Sequence, residues 1–317
     1  MGVKWGLSGG YVPYIEVSGI AKSFPAGAGV RPVLRGVSLS VERGEFVSIV
    51  GAMGSGKSTL LSILAGLTRA DEGTVIVDGE LVQGVRTDAA FVFQNYSLLP
   101  WFTALENVRL AVEASCPELT RAEQKARAKQ TLEQVGLGNA LNRRPRQLSG
   151  GMRQRVAIAR AFATDPDLLF MDEPFGALDA LTRETLQGEL MRLCGADLYG
   201  PRSSPVTTIM ITNSVEEALL LSDRIVPILP GPPATLGAPI AVDLPRGRTV
   251  VQLAHDEQAS HVRAHVVATL TAALGSRLGA EALAQAAVRR ATTTSEHTTP
   301  GVVLAEKEKT KSGLVFP

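Results

Sequence analysis

Residues Gly51-Ala52-Met53-Gly54-Ser55-Gly56-Lys57-Ser58 spell G-x-x-x-x-G-K-[ST], and their flanks decide what this stretch can be. Before it, Phe46-Val47-Ser48-Ile49-Val50 is a short, mostly apolar run, the pattern of a buried parallel strand. After it, Leu60, Leu61, Leu64 and Leu67 fall at helical spacing along Lys57–Leu67. Strand, glycine-rich turn and helix, in that order, make a phosphate-binding loop. The glycines let backbone N–H groups converge on phosphate oxygens, and the helix N-terminus adds the positive end of its dipole. Lys57 would then reach the β- and γ-phosphates of a nucleotide, and the Ser58 hydroxyl would ligate Mg²⁺. Gly51, Gly54, Ser55, Gly56, Lys57, Ser58 and the adjoining Thr59 are therefore candidate nucleotide-binding residues. A chance match to the pattern would lack this frame.

A second run, Leu168-Leu169-Phe170-Met171-Asp172-Glu173, brings an acidic pair to the carboxyl end of an apolar strand, where ligands bind in open α/β sheets. Asp172 can hold Mg²⁺ directly or through water, and Glu173 can orient and deprotonate an attacking water as general base. Alone, such a strand end means little; beside the phosphate loop it completes half a site.

Around these motifs the chain alternates strand and helix patterns. Strands are predicted at Tyr14–Val17, Val37–Val41, Thr74–Val77, Ala89–Phe93, Thr207–Ile211 and Ile225–Leu229. Helices are predicted at Thr103–Glu113, Thr120–Val135, Gly150–Ala163 and Ala180–Leu193. That alternation indicates an α/β fold with a largely parallel sheet. The almost wholly helical stretch at about 97–165 reads as a helical subdomain inserted between two strands of the sheet-containing core. Beyond Pro230 the pattern breaks at Gly231-Pro232-Pro233, and an Ala-rich, helical extension is expected over 241–290. Residues 291–317 are Thr-, Ser- and Lys-rich without periodicity, which predicts a flexible tail.

Composition excludes several classes. Of the 317 residues, 32 are Lys or Arg and 31 Asp or Glu, so the net charge is +1 and no basic excess supports nucleic-acid binding. Cys116 and Cys194 form no CxxC pattern, which argues against a disulfide scaffold or a cysteine zinc site and fits a reducing compartment. No apolar run approaches the roughly 20 residues needed to cross a bilayer. Met1–Pro13 has one lysine and no apolar h-region, so no secretory signal is expected there.

Between the two phosphate-site motifs stands Leu148-Ser149-Gly150-Gly151-Met152-Arg153-Gln154-Arg155. It resembles the LSGGQ-type signature of ABC transporter ATPases, with Met152 where glutamine is usual. The resemblance covers roughly residues 14–240 and implies an ABC-type P-loop NTPase domain there. It implies that Gln94 is a Q-loop residue serving catalysis and the metal, that Ala177-Leu178-Asp179 is a D-loop, and that Phe24 stacks on adenine. Ser149 and the N–H groups of Gly150 and Gly151 open a helix, which makes a second anion-binding end. A head-to-tail dimer, as the family implies, would carry Ser149, Gly150, Gly151 and Asp179 to the nucleotide of the other subunit and create two composite sites.

Phe93-Gln94-Asn95-Tyr96-Ser97-Leu98-Leu99-Pro100-Trp101 is similar to the nitrate/sulfonate/taurine/bicarbonate importer group. The stretches Gly231–Gly237 and Val242–Arg246 lean toward its nitrate-type members. The resemblance thus implies an ATP- and Mg²⁺-dependent ATPase subunit powering uptake of a small anion. Nitrate or nitrite is favoured, with sulfonate, taurine, cyanate and bicarbonate as alternatives. Partners would be transmembrane permease subunits, a substrate-binding protein and a second ATPase subunit, identical or not, with no nucleic acid. The place would be cytoplasmic, peripheral on the inner face of the cell membrane. A soluble ABC-type ATPase acting on DNA or ribosomes is the competing class, disfavoured by the single motif set and the absence of a heptad run.

One position departs from the pattern. In Ile211-Thr212-Asn213-Ser214-Val215-Glu216-Glu217-Ala218 the family's switch histidine is replaced by Asn213, counted here with Glu173 and Gln94 as catalytic. Histidine can change protonation near neutral pH, whereas asparagine only donates and accepts hydrogen bonds. A tolerated variant with Glu173 still the base is the first reading; a low-turnover regulatory nucleotide-binding subunit is the second. His261 and His265, at i, i+4 spacing, lack a third ligand and read as an exposed helix face. Arg143, Arg144 and Arg146 read as a solvated loop. Tyr96, Leu98, Leu99, Trp101 and Phe102 serve the core, a docking groove for a membrane-subunit helix, or both.

Overall fold

The computed structural model describes residues 12–27, 29–195 and 204–295. Two compact units divide the chain, Met1–Leu274 and Gly275–Pro317. The first opens with β1 (Ile15–Ala26), β2 (Gly29–Val41), β3 (Phe46–Val50), α1 (Lys57–Leu64), β4 (Glu72–Val77), β5 (Glu80–Leu81) and β6 (Ala89–Val92). Three helices follow, α2 (Ala104–Ser115), α3 (Arg121–Gln134) and α4 (Gly150–Phe162). The chain then alternates again through β7 (Leu168–Asp172), α5 (Ala180–Cys194), β8 (Thr207–Thr212), α6 (Val215–Leu221) and β9 (Arg224–Leu229). It ends in β10 (Thr235–Leu236), β11 (Ile240–Ala241), α7 (Val250–His255) and α8 (Glu257–Ser295), the last running on into the second unit.

The main sheet has the order β10-β9-β3-β8-β7-β6, with β11 on β9. Its four central pairings, from β9 through β6, are parallel. Every residue of β3 and β8 is buried, as strands covered on both faces of a sheet must be. Full burial of each Val, Ile or Leu side chain contributes about 1.5–3 kcal/mol. Because β3, β8 and β7 are parallel neighbours, the segments leaving their carboxyl ends open on one edge of the sheet.

A second, four-stranded sheet in the order β2-β1-β4-β5 is antiparallel, a departure from the largely parallel sheet expected. Strands β1 and β2 run 12 and 13 residues, far beyond the short alternations at Tyr14–Val17 and Val37–Val41. Their period-2 pattern is interrupted by three register shifts between Val17 and Ser23, which hid their length. Ala234 ties this sheet to the main one, donating to Val33 O (2.8 Å) and accepting from the Arg35 N–H (3.0 Å).

Helices α2, α3 and α4 lie between β6 and β7 in the chain, where the helical insertion was expected. Thr103 and Thr120 cap α2 and α3 in reciprocal boxes with Glu106 and Glu123. Val108, Val112, Leu132, Val156 and Phe162 of these helices are buried in one apolar core with Met171 and Phe175. Among the features not read from the sequence are helix α6, the short strands β5 and β10, and the pairing of Ile240 and Ala241 with β9, which places the start of the expected 241–290 extension against the sheet. Helix α8 runs to Ser295, so 291–295 of the expected flexible tail are helical, and 296–317 lie outside the described residues. No described helix is long and apolar enough to cross a membrane.

Candidate functional site

The loop after β3 turns into α1 through Gly54 and Gly56, both at positive φ (75° and 90°), a conformation that costs glycine little. The cradle is close-fitting: a Cβ on Gly51 would stand 2.4 Å from Ile228 Cγ2, and one on Gly56 3.0 Å from Val33 Cγ1. Gly56 occupies the N-cap position of α1 and supplies no side-chain cap, which leaves the amides of the first turn for an outside acceptor. Ser55 is buried, and among the described residues its Oγ has no hydrogen-bond partner.

Lys57 is 4% exposed, and burial pulls its pKa below the ordinary lysine value against the pull of Glu173 and Asp172. Its Nζ donates to Gly51 O (2.9 Å), Ala52 O (2.9 Å) and Asn213 Oδ1 (2.6 Å). All three ammonium protons therefore have protein acceptors. Asn213, which follows β8, donates in turn from Nδ2 to Glu173 Oε1 (2.7 Å). The amide thus bridges the cation and the carboxylate, which themselves stand 3.8 Å apart.

Glu173 leaves β7 at φ 43°, a left-handed backbone for a non-glycine residue, with its N–H held by Ile211 O (3.0 Å). Its other oxygen accepts from Gln94 Nε2 (3.3 Å). Asp172 accepts from Ser58 Oγ (3.2 Å), and burial raises its carboxyl above the ordinary range. Hard oxygen donors from Ser58 and Asp172, with Gln94 and Glu173 adjacent, are the donor chemistry that Mg²⁺ takes. The residues fit the ion.

Other expected site residues stand apart. Phe24 is 40% exposed on β1, with Lys22 Nζ 5.5 Å from its ring centre. Ser149 is exposed at the N-cap of α4, where its Oγ accepts from the Met152 N–H (3.2 Å). A Cβ on Gly151 would meet Thr182 Cγ2 at 2.5 Å, so α4 approaches α5 closely there. Asp179 caps α5 by accepting from the Thr182 N–H (3.0 Å). None of these side chains bonds to the phosphate loop among the described residues. His261 and His265 are exposed, and no group of three or more metal-binding side chains gathers among the described residues. Arg143, Arg144 and Arg146 are exposed, as is Trp101 (63%), while Tyr96 and Leu98 pack on the core.

Sequence reasoning missed Asn107. It is 1% exposed on the buried face of α2, takes the Leu99 N–H on Oδ1 (2.8 Å) and donates to the carbonyls of Leu99, Phe102 and Thr103. An asparagine interrupting the apolar stripe of Ala104, Val108 and Val112 was its signal.

Comparison with known proteins agrees with this geometry. A family model described as ABC transporter matches residues 34–176. The bicarbonate transport ATP-binding protein CmpC of Synechococcus elongatus is 46% identical over 243 residues, 76% of this chain, although the chain spans only 36% of that relative's length. The nitrate transport protein NasD of Klebsiella oxytoca is 44% identical over 252 residues, covering 79% of this chain and 94% of NasD. Among solved structures, the dimeric post-hydrolysis state of the ATP-binding cassette MJ0796 bound to ADP and Pi matches with TM-score 0.63 and 31% identity. That match covers 73% of this chain and 99% of the other. A phosphate loop, an acidic strand end and an LSGG helix on this α/β frame, with NasD matched over 94% of its length and the MJ0796 cassette over 99%, place the chain in the ABC transporter family.

Proposed function

We propose that the chain is the ATP-binding and ATP-hydrolysing subunit of an importer for a small anion, peripheral on the cytoplasmic face of the membrane and docked on separate permease subunits. The observation that carries it is the connected set Lys57–Asn213–Glu173–Gln94 at the carboxyl ends of β3, β8 and β7 and beyond β6. Such a set can hold a terminal phosphoryl group and a water at once. Residues 14–240 form the ATPase domain.

The amides of the phosphate loop and the start of α1 receive the β- and γ-phosphates, while Lys57 exchanges its internal acceptors for phosphate oxygens. Phe24, exposed on β1, supplies a ring for the adenine. Ser58, Asp172 and Gln94 would hold Mg²⁺, which when bound offsets charge on the phosphates. Glu173 accepts a proton from the attacking water, with Gln94 and Asn213 fixing its two oxygens. A second copy contributes Ser149, Gly150, Gly151 and Asp179, which explains why those residues lie away from the chain's own phosphate loop. MJ0796, which matches this chain, is described as dimeric, in keeping with that arrangement.

The relatives are named for nitrate and for bicarbonate transport, and nitrate is the favoured cargo here. Selection of the anion belongs to the permease and substrate-binding protein. Co-expression with candidate permease subunits tests the proposal: co-purification, with ATP hydrolysis stimulated by the cognate anion, is expected. An isolated chain that hydrolyses no ATP with or without those subunits overturns it. The bridge at Asn213 favours one second reading, a low-turnover regulatory subunit, because both Lys57 and Glu173 are engaged by a neutral amide.

A further inference from the structure

Helix α6 opens just after Asn213, so whatever fixes this helix also fixes the bridging amide. With 7 residues it is far shorter than the roughly 12–15 that hold together alone in water, and its pose is set from outside. The main fold holds its inner side. Ser214 accepts the Glu217 N–H (3.2 Å), while the Ser214 N–H goes to Thr212 Oγ1 (3.0 Å). Thr212 Oγ1 donates to Glu217 (2.6 Å), a buried carboxylate with Arg183 Nε at 3.7 Å.

The outer side is held by the C-terminal extension. Arg248, just before α7, donates from Nε to Leu219 O (2.7 Å) and from Nη2 to Ser222 O (2.5 Å). These carbonyls close the last turn of α6, where no helical donor remains and a cation suits the dipole. Nη1 of the same guanidinium donates to Leu244 O (3.0 Å) and Pro245 O (3.2 Å), which fastens the extension itself. At the first turn, Arg263 of α8 forks onto Glu216, Nε to Oε1 (2.6 Å) and Nη2 to Oε2 (3.0 Å). Leu253, Ala259 and Val266 of the extension share one core with Ala218, Leu219 and Leu221. All of these residues lie within the first compact unit.

The Arg263–Glu216 pair differs from the inner contacts. Its side chains are 30% and 61% exposed, so it adds little to stability. A two-pronged fork nevertheless fixes direction as well as distance. We infer that Arg263, through Glu216, positions Asn213, so that the C-terminal extension sets the rate of ATP hydrolysis through α6. Arg248 pins the last turn of the helix. Arg263 then decides how the first turn, and the amide ahead of it, faces Lys57 and Glu173. Arg263 and Glu216 are positioning residues, and the inference rests on the ATPase reading given above.

The experiment measures kcat and KM for ATP in the full chain, with amide hydrogen exchange over residues 212–218 as a second readout. Arg263→Glu and Glu216→Arg are each expected to lower kcat about three- to tenfold, the scale of coupling between contacting residues. KM for ATP should stay within about twofold of the parent, and the Ser214 and Glu217 amides should exchange faster, as a loosened first turn requires. The reversed pair, Arg263→Glu with Glu216→Arg, should recover about half or more of the lost turnover and restore slow exchange. In an Asn213→Ala background, Arg263→Glu should lower kcat no further, because the residue it positions is gone. Arg263→Gln and Glu216→Gln decide the matter if a charge reversal fails to fold. Parental kcat with parental exchange in both single variants overturns the inference. So does an equal loss with and without the Asn213 side chain, or a fall in ATP affinity in step with kcat. A parent that hydrolyses no ATP overturns the ATPase reading instead, and the exchange measurement still decides whether Arg263 holds the first turn.

Discussion

Two helices in this chain begin with glycines and face an anion in the proposed mechanism, yet their free ends are finished differently. Helix α1 starts on Gly56 without a side-chain cap, and its lysine is turned inward onto protein oxygens. Helix α4 starts on Ser149, which already caps its own first turn through the Met152 N–H. The first end has spare amides and an occupied cation; the second has a satisfied amide and an exposed hydroxyl whose proton is still free to donate. In the proposed mechanism a helix start of the first kind binds an anion within one chain. One of the second kind gains its partner there only when another surface is brought to it. The contrast separates a binding end from an assembly end.

The largest test of that contrast removes charge at the first end and at the base it faces. Lys57→Ala is expected to abolish ATP binding, measured by titration of the isolated chain. Glu173→Gln should retain ATP and lose at least about a hundredfold in turnover, since general-base contributions run to 10²–10⁴. Equal hydrolysis by Glu173→Gln and the parent would remove Glu173 from the mechanism.

Asn213→His comes next. Replacing a neutral hydrogen bond by a stronger donor is worth about 1–2 kcal/mol, or on the order of five- to thirtyfold in turnover. A rise of that size in basal ATPase supports the low-turnover reading, and no rise shows that the site has adapted around the amide. Ser149→Ala should lower turnover roughly tenfold, the effect of one charge-assisted hydrogen bond of about 1.5 kcal/mol, with single-chain ATP affinity unchanged. A loss of affinity in the isolated chain would erase the distinction between the two ends.

Thermal unfolding supplies the next test. Burial raises Asp172 above the ordinary carboxylate range, so the folded chain keeps a proton that the unfolded chain has already released. Stability is therefore full below the ordinary range and falls as pH rises through the raised value. Asp172→Asn should raise Tm at neutral pH by a few degrees, about 2–4 °C for each kcal/mol recovered, with little change in acid. It should also slow hydrolysis. The smallest effect is a control: Thr103→Ala removes an ordinary cap and costs about 1 kcal/mol, with turnover per folded molecule unchanged. Ser149→Ala should match that stability cost and differ only in activity.

Residues that act through their immediate neighbours in sequence were legible. The loop from Gly51 to Ser58 and the strand ending at Asp172 and Glu173 announce themselves by local pattern, and the structure joins them through Ser58 and Lys57. Asn213 was legible as a departure but not as a bridge, because its partners lie 156 and 40 residues away. Arg248 gave no signal at all: its acceptors are backbone carbonyls that any sequence would offer. The antiparallel sheet was half legible, since bulges broke the alternation that would have revealed its length.

The inward turn of Lys57 carries a consequence for selectivity among anions. Entering phosphate must displace three oxygen acceptors already within 2.9 Å of the ammonium, so it is in competition with the protein for its own cation. A lone inorganic phosphate offers one tetrahedron against that set. A triphosphate brings the same group already anchored by its neighbours, at an effective concentration no free ion reaches. The expected outcome is weak binding of simple phosphate and strong binding of the same group when it arrives tethered. Inorganic phosphate should compete poorly with ATP in the parent and measurably better in Asn213→Ala, where one of the three rivals is gone.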